Sequence, residues 1–456
     1  MKHALRKSMT TALAVTIVPF ASALVMFPTP AHAIPAFARQ TGQACDMCHV
    51  GGFGPQLTSY GREFKLNGYT WGDVKNRLKN FSAMIYGGMQ HYSKDEPAAM
   101  QTKHYGANNN WTVDQISLFY GGKIVNNLGI FSQATYNGVS DSYGWDNVDV
   151  RYANATMLAG KSLVYGVDMN NAPTVQDLWQ TAPAWAFPWA SSDLAPGPAT
   201  SMYLGGDGMA QTTGSIGVYG MWDDAFYAEL SGYYALPADF QETMGNHDVS
   251  TSDRLDGLNP YWRLAYQKTV GPHYFSIGTF GMNAKVYPGN DRTKGTDTHL
   301  NMALDATYQY TTPDMNNIFS FYAAAEHEHE NLDATHALGN STNTSDTLNQ
   351  YTENASYYYK NTYGITVKRF DLTGSTDAQL YNANTIKSPN SAGWTFQADY
   401  TPWGKSDSPW GPNVNARLFA QYTMYNKFDG SSSNYDGTGR SASDNNTLYM
   451  GLWMAF

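Results

Sequence analysis

Cysteine is nearly absent from this chain. Its 456 residues include only 2, and both lie in one pentapeptide, Cys45-Asp46-Met47-Cys48-His49. So small a thiol supply excludes a disulfide framework and any zinc site built on two cysteine pairs. Charge is scarce too: 14% of residues are charged, where soluble domains carry about 25%. Beyond the first thirty residues no long apolar run occurs, which excludes a bundle of membrane-spanning helices. A phosphate-binding loop, a dinucleotide fingerprint and a Ser-His-Asp order are all missing. The net charge of −10 argues against a nucleic-acid partner.

The amino terminus has the layout of a signal peptide over 1–33. Lys2, Arg6 and Lys7 precede an apolar stretch that ends at Ala31-His32-Ala33. Pro19 and the Ala-x-Ala end speak against the other reading, a retained anchor. Cleavage removes three positive charges and takes the net charge from −10 to about −13. The mature protein is therefore expected outside the cytoplasm.

The remainder is rich in Tyr, Trp, Phe and Gly, with 33, 12, 20 and 42 respectively. Few charges, many aromatics and no apolar helix fit a transmembrane β-barrel, whose strands show lipid only every second side chain. The last residues, NTLYMGLWMAF, place Leu448, Met450, Leu452 and Met454 on one face at period two and end in Phe456. The preceding segment VNARLFAQYTMY repeats the pattern, with Arg417 and Gln421 on the polar face. About sixteen strands are expected between Phe81 and Phe456, joined alternately by short and long connections. Short turns are expected at Asn126-Asn127, Gly160-Lys161, Asp223-Asp224, Gly271-Pro272 and Pro313-Asp314. Long ones are expected near 93–112, 171–208, 237–257, 331–351 and 429–445. A β-sandwich is the competing architecture. The segment 170–199 has five prolines, three tryptophans and no strand period, which suggests a loop folded into the barrel mouth.

Cys45, Cys48 and His49 form the pattern for covalent c-type haem attachment. Two thiols add to the two vinyl groups of one porphyrin, and the adjacent histidine ligates its iron. A zinc centre lacks further ligands, a thioredoxin-like pair lacks its βαβ setting, and a plain disulfide leaves the histidine without a role. Between Val50 and Ala83 there is no His or Met. Met84, on the lumen face of the first strand, is the candidate for the sixth ligand, with Lys65 as a weaker donor. A haem-bearing segment of about 45 residues, 34–78, needs a surface to pack on. It is expected to plug the periplasmic mouth of a barrel formed by 79–456.

AIPAFARQTGQACDMCH (33–49), GREFKLNGY (61–69), NNAPTVQDLW (170–179), TAPAWAFPW (181–189) and NYDGTGRSASDNNTLY (434–449) resemble the fused outer-membrane cytochrome–porins. That family includes the iron-oxidising outer-membrane cytochrome of acidophilic and neutrophilic iron bacteria. The resemblance implies a sixteen-stranded barrel in the bacterial outer membrane, with one c-type haem on its periplasmic side. It implies that Cys45 and Cys48 bind haem c and that His49 ligates iron. Arg39, Gln40, Thr41, Gly42, Gly61, Arg62 and Phe64 match the motif around the haem. Arg39 and Arg62 are then expected either to pair with haem propionates or to hold the plug.

The expected function is electron transfer from extracellular Fe(II) to a periplasmic cytochrome or other soluble carrier. The alternatives are an outward conduit to an extracellular acceptor, and a diffusion porin with a structural haem plug. Iron oxidation would be the only enzyme-like activity. One further cluster stands out, Glu326-His327-Glu328-His329-Glu330. On a strand its histidines share one face and its glutamates the other. Two readings follow, a transition-metal site on the histidines and a solvated strand extension at the outer rim, of which the rim is preferred.

Overall fold

The computed structural model describes residues 35–72, 77–98, 100–205, 209–245, 249–410 and 413–456. The expected signal peptide lies outside the described residues. Sixteen long antiparallel strands form the wall: β1 (Phe81–Tyr92), β2 (Asn110–Val125), β3 (Leu128–Asn137), β4 (Ser142–Leu158), β5 (Lys161–Asn170), β6 (Thr213–Trp222), β7 (Phe226–Ala235), β9 (Asn259–Val270), β10 (His273–Tyr287), β11 (Asp297–Thr311), β12 (Asn317–Asn331), β13 (Ser345–Tyr359), β14 (Tyr363–Gly374), β15 (Ser391–Tyr400), β16 (Asn415–Lys427) and β17 (Thr447–Ala455). The two-residue β8 (Arg254–Leu255) extends the edge of β10. Each strand pairs with its sequence neighbour, and β1 pairs with β17 from Met84↔Ala455 to Tyr92↔Thr447. The sheet therefore closes into a barrel with no free edge, and every ladder hydrogen bond can be made within lipid. This is the architecture of a transmembrane β-barrel.

Alternation of side chains decides which face meets lipid. Ile277, Leu304, Ile365, Val218, Leu418 and Leu452 all point outward and are exposed. Each is worth about 1.5–3 kcal/mol when removed from water, so a continuous band of them identifies a lipid-facing surface. Aromatic pairs ring the barrel at the short-turn end: Phe226–Tyr266, Phe275–Tyr308, Phe319–Tyr357 and Tyr363–Tyr400. Such girdles mark a membrane interface. Arg151, Arg263 and Arg417 are fully buried and face the lumen. Each has a carboxylate partner there, among them Asp149, Asp305 and Asp399. On the lipid face an arginine at mid-depth costs about 2–4 kcal/mol.

The hairpins at one end are tight. Asp223 and Asp224 both take positive φ, as do Ala159 with Gly160 and Lys360 with Asn361, the backbone of two-residue turns whose twist matches the strands. The opposite end carries the long connections, at 93–109, 171–212, 236–258, 288–296, 332–344, 375–390 and 428–446. Two of these, 288–296 and 375–390, were not anticipated. Residues 345–351, expected in a loop, begin β13, because their polar side chains face an interior that is itself polar. The connection 401–414 is long although it sits at the tight-turn end.

The amino-terminal segment occupies the lumen at the tight-turn end. It contains α1 (Pro35–Thr41), the single-turn α2 (Cys45–Cys48) and α3 (Ser59–Leu66). Gln56 Nε2 donates to Ser320 Oγ at 2.8 Å, and Arg62 Nη1 to Gln309 Oε1 at 3.1 Å. Asn415 Nδ2 donates to Gly52 O at 2.7 Å, and Arg417 Nη2 to Phe53 O at 2.6 Å. Tyr69 OH donates to Asp149 on β4. Contacts on β4, β11, β12 and β16 surround the segment, so it is held from several sides of the wall.

The loop after β5 also folds inward over 171–205, as its aromatic and proline content suggests. Val175, Leu178, Trp179 and Ala182 are almost completely buried. Trp179 Nε1 donates to Tyr274 OH at 2.8 Å. Gln421 Nε2 donates to Ala190 O at 3.0 Å, and Tyr425 OH to Pro196 O at 2.8 Å. Two separate stretches of chain thus fill the lumen, and they meet where Lys65 Nζ donates to Val175 O and Asp177 O at 2.6 and 2.8 Å.

Candidate cofactor site

The site is assembled by a tight local turn. The single turn of α2 brings Cys45 and Cys48 to one side, since residues three apart lie on the same helix face. His49 ends it, donating its backbone N–H to Cys45 O at 2.8 Å, and then runs extended beside Leu57. Val50 N–H donates to Gln56 O and Thr58 N–H to Cys48 O, both at 2.9 Å. Thr58 caps α3 by accepting from Gly61 N–H, and its hydroxyl donates to Met47 O at 2.5 Å. Gly61 is required for close approach, because a Cβ there would stand 2.3 Å from Cys48 O. Outside the turn, Cys45 N–H donates to Gly404 O at 2.9 Å, so the unexpectedly long connection 401–414 braces the cysteine turn.

Cys45, Cys48 and His49 open on one cavity of about 430 Å³, within the roughly 300–1,000 Å³ usual for cofactor sites. Its walls come from three parts of the chain. Phe37, Phe53 and Phe64 come from the plug, Trp185 and Trp189 from the inward loop, and Met84, Tyr86, Phe119 and Trp453 from the barrel. Phe53 packs edge-on against Trp453 with centroids 4.8 Å apart.

Burial keeps Cys48 and His49 neutral. Burial pushes the Cys48 thiol up to about 12. Burial, reinforced by nearby Arg417, pulls His49 down to about 4. His49 Nδ1 is buried and has no hydrogen-bond partner. A neutral imidazole is a metal ligand, and Cys45 and Cys48 are not joined in a disulfide. Two thiols and an imidazole facing one apolar cavity fit the donor set of haem c; they are too few for a closed zinc centre.

Met84 faces the same cavity, as its lumen parity requires. Lys65 also lines it, but its ammonium is taken up by two carbonyl groups of the inward loop. Arg39 and Arg62 do not line it. Arg39 donates to Lys79 O and Phe81 O. Arg62 donates to Leu57 O, Gln309 and Ser59 and lies 3.7 Å over the Tyr274 ring. Both hold the plug to the barrel, and of the two roles weighed for them that is the one their geometry supports. The wall residues Trp185, Trp189 and Trp453 were not foreseen. Only the tryptophan density of 181–189 hinted at two of them.

The cluster at 326–330 is oriented differently from the preferred rim reading. Glu326, Glu328 and Glu330 are buried in the lumen, not solvated. His327 and His329 are exposed on the outer face, and His327 Nδ1 meets Asn349 Oδ1 at 2.8 Å. The alternation was right, but a carboxylate row faces inward here because the barrel interior is polar.

No protein-family model matches the chain, and no curated protein sequence matches it. Solved structures to which the chain is similar include the loop L8 deletion mutant of OmpT, an outer membrane protein of Vibrio cholerae. It is 9% identical at a TM-score of 0.42, covering 82% of this chain and 97% of that one. An anion-selective porin from Comamonas acidovorans is 12% identical at 0.43, covering 82% and 98%. The outer membrane channel DcaP of Acinetobacter baumannii is 11% identical at 0.42, covering 83% and 96%.

Proposed function

We propose that this chain is an outer-membrane electron-transfer protein of the fused cytochrome–porin kind. In this reading one haem c is attached through Cys45 and Cys48, with His49 as iron ligand, inside a porin-like barrel. The observation that carries it is that Cys45, Cys48 and a neutral His49 imidazole line one cavity walled by aromatic side chains, the donor set that haem c attachment requires.

When bound, the haem supplies one-electron redox chemistry. The chain's residues do the rest. The Cys45–Cys48 turn sets the orientation, the aromatic walls exclude water, and Met84 offers a thioether from the barrel side. Arg417, like Arg39 and Arg62, does not line the cavity; it donates to Phe53 O and faces Asp399, and so holds the plug from β16. The barrel holds a redox centre within a membrane that electrons do not cross unaided. With extracellular Fe(II) as donor and a periplasmic cytochrome or similar carrier as acceptor, the insoluble ferric product stays outside the cell. The outward conduit uses the same residues and differs in the potential of its partners.

A second reading, a solute-diffusion porin, is favoured by the closed porin-like barrel itself. The two readings part in a planar bilayer. Two inward segments support a lumen without steady conductance, whereas a diffusion porin conducts. The direct test of electron transfer is a visible spectrum of the purified protein in detergent. Covalent c-type bands that reduce rapidly on anaerobic addition of Fe(II) support inward transfer. Reduction by dithionite alone favours the outward conduit. Lack of covalent haem overturns the reading.

A further inference from the structure

A second polar cluster lies well away from the cysteine turn. On β11 and β12 the lumen-facing residues His299, Glu328 and Glu330 bring one donor atom each within 4.8 Å of one another, and all three are buried. His299 Nδ1 stands 3.3 Å from Glu328 Oε1 and 3.5 Å from Glu330 Oε1. Donors held about 2.1 Å from one tetrahedral ion are about 3.4 Å apart, so the separations match a shared cation. A single imidazole nitrogen carries one proton and cannot serve both carboxylates equally.

The surroundings reinforce this. Asn301 is directly opposite Glu328 in the ladder, its Nδ2 lies 3.5 Å from Glu328 Oε2, and its Oδ1 is buried with no partner. Asp346, opposite Glu330, and Glu326, one inward position along β12, each keep a buried carboxylate oxygen unpartnered. Two carboxylates thus face His299, with Glu326 and Asp346 buried beside them. The inward loop closes the site: Tyr203 N–H donates to Glu328 Oε2 at 2.9 Å, and its ring stacks on His299 at 4.3 Å.

We propose that His299, Glu328 and Glu330 bind one divalent first-row transition cation. Mixed imidazole and carboxylate donors suit such ions, whereas calcium and magnesium sites are built from oxygen alone. The site lies near the long-loop end of β12. Glu328 is eight residues from Ser320, where the plug touches the strand, about 26 Å along the strand. It is separate from the cofactor cavity and does not depend on haem.

The test is equilibrium dialysis of the purified full-length protein in detergent against Co(II) at neutral pH, with bound cobalt counted by mass spectrometry. Cobalt is distinct from haem iron and binds such sites more tightly than Mn(II) or Fe(II). One cobalt per chain is expected. Glu328→Gln, checked for folding by heat-modifiable gel migration, should weaken binding at least tenfold, and the double variant His327→Ala/His329→Ala should leave it unchanged. If Glu328→Gln fails to fold, Glu330→Gln is read in its place. A wild-type protein that takes up no stoichiometric cobalt overturns the proposal, and the cluster is then a protonated imidazole between two carboxylates. Loss of binding in the His327/His329 variant, or full binding in the Glu328 variant, also overturns it.

Discussion

The inward loop is clamped at a point where its removal can be put in numbers. Arg263 on β9 donates through Nη1 and Nη2 to Asp305 on β11 at 2.5 and 2.7 Å. Asp305 in turn accepts from the Thr181 hydroxyl of the loop. Asp177 of the loop lies 3.5 Å from Arg263, and the Trp179 ring lies 4.9 Å from the guanidinium. All of these side chains are buried. Asp305→Ala leaves the guanidinium with one distant carboxylate and also removes the acceptor for Thr181. Breaking a buried pair in this way costs about 3–5 kcal/mol. The wall is held by its ladders, with β10 paired to β11 along fourteen residues, so the cost falls on the docking of the loop. At 1.4 kcal/mol per factor of ten, undocking becomes about 10²- to 4 × 10³-fold more frequent. Single-channel recording in a planar bilayer reads this directly: the variant should show openings that the wild type lacks. Protease cleavage within 183–205 should rise in parallel. A variant as closed and as protease-resistant as the wild type refutes the assignment of Arg263–Asp305 as the clamp.

Met84→Ala should move the visible spectrum and the reduction potential of the haem-loaded protein; unchanged values eliminate Met84 as a ligand. Gly61→Ala forces a Cβ to within 2.3 Å of Cys48 O and should lower covalent haem incorporation, with a stability loss of about 1–3 kcal/mol from overpacking. Lys65 is buried and its pKa is pulled down to about 8, by burial first and then by Arg151. The unfolded chain therefore binds more protons between about pH 8 and 10, and stability should rise with pH across that window by up to about 3 kcal/mol. Lys65→Met should flatten that slope in denaturant titrations, and a slope equal to the wild type rules Lys65 out as its source.

How far the chain can be read without coordinates follows from the range of each interaction. Leu448 to Met454 show their lipid face in the sequence, because strand alternation is local and lipid tolerates only one kind of side chain. The turn at Asp223-Asp224 is visible for the same reason, because two-residue hairpins demand positive φ; the one expected at Gly160-Lys161 falls one residue earlier, at Ala159-Gly160. The Cys45-to-His49 pattern is local as well, since its chemistry lies within one helical turn. Loop lengths were less legible. Residues 345–351 look like loop because a lumen-facing strand is polar on one face and leaves the membrane on the other.

What remained hidden depends on residues far apart in the chain. Arg39 and Arg62 have the charge to pair with a propionate, but only their carbonyl and side-chain partners across the lumen show them holding the plug. The glutamates at 326, 328 and 330 alternate with histidines in any reading. That His299, and neither adjacent histidine, completes their cluster depends on the register between β11 and β12. Trp185, Trp189 and Trp453 become walls of one cavity only when a loop enters the barrel and the last strand closes against the first. Local chemistry and periodicity therefore determined the barrel and the cysteine turn, while register, closure and the path of the inward loop decided what those elements enclose.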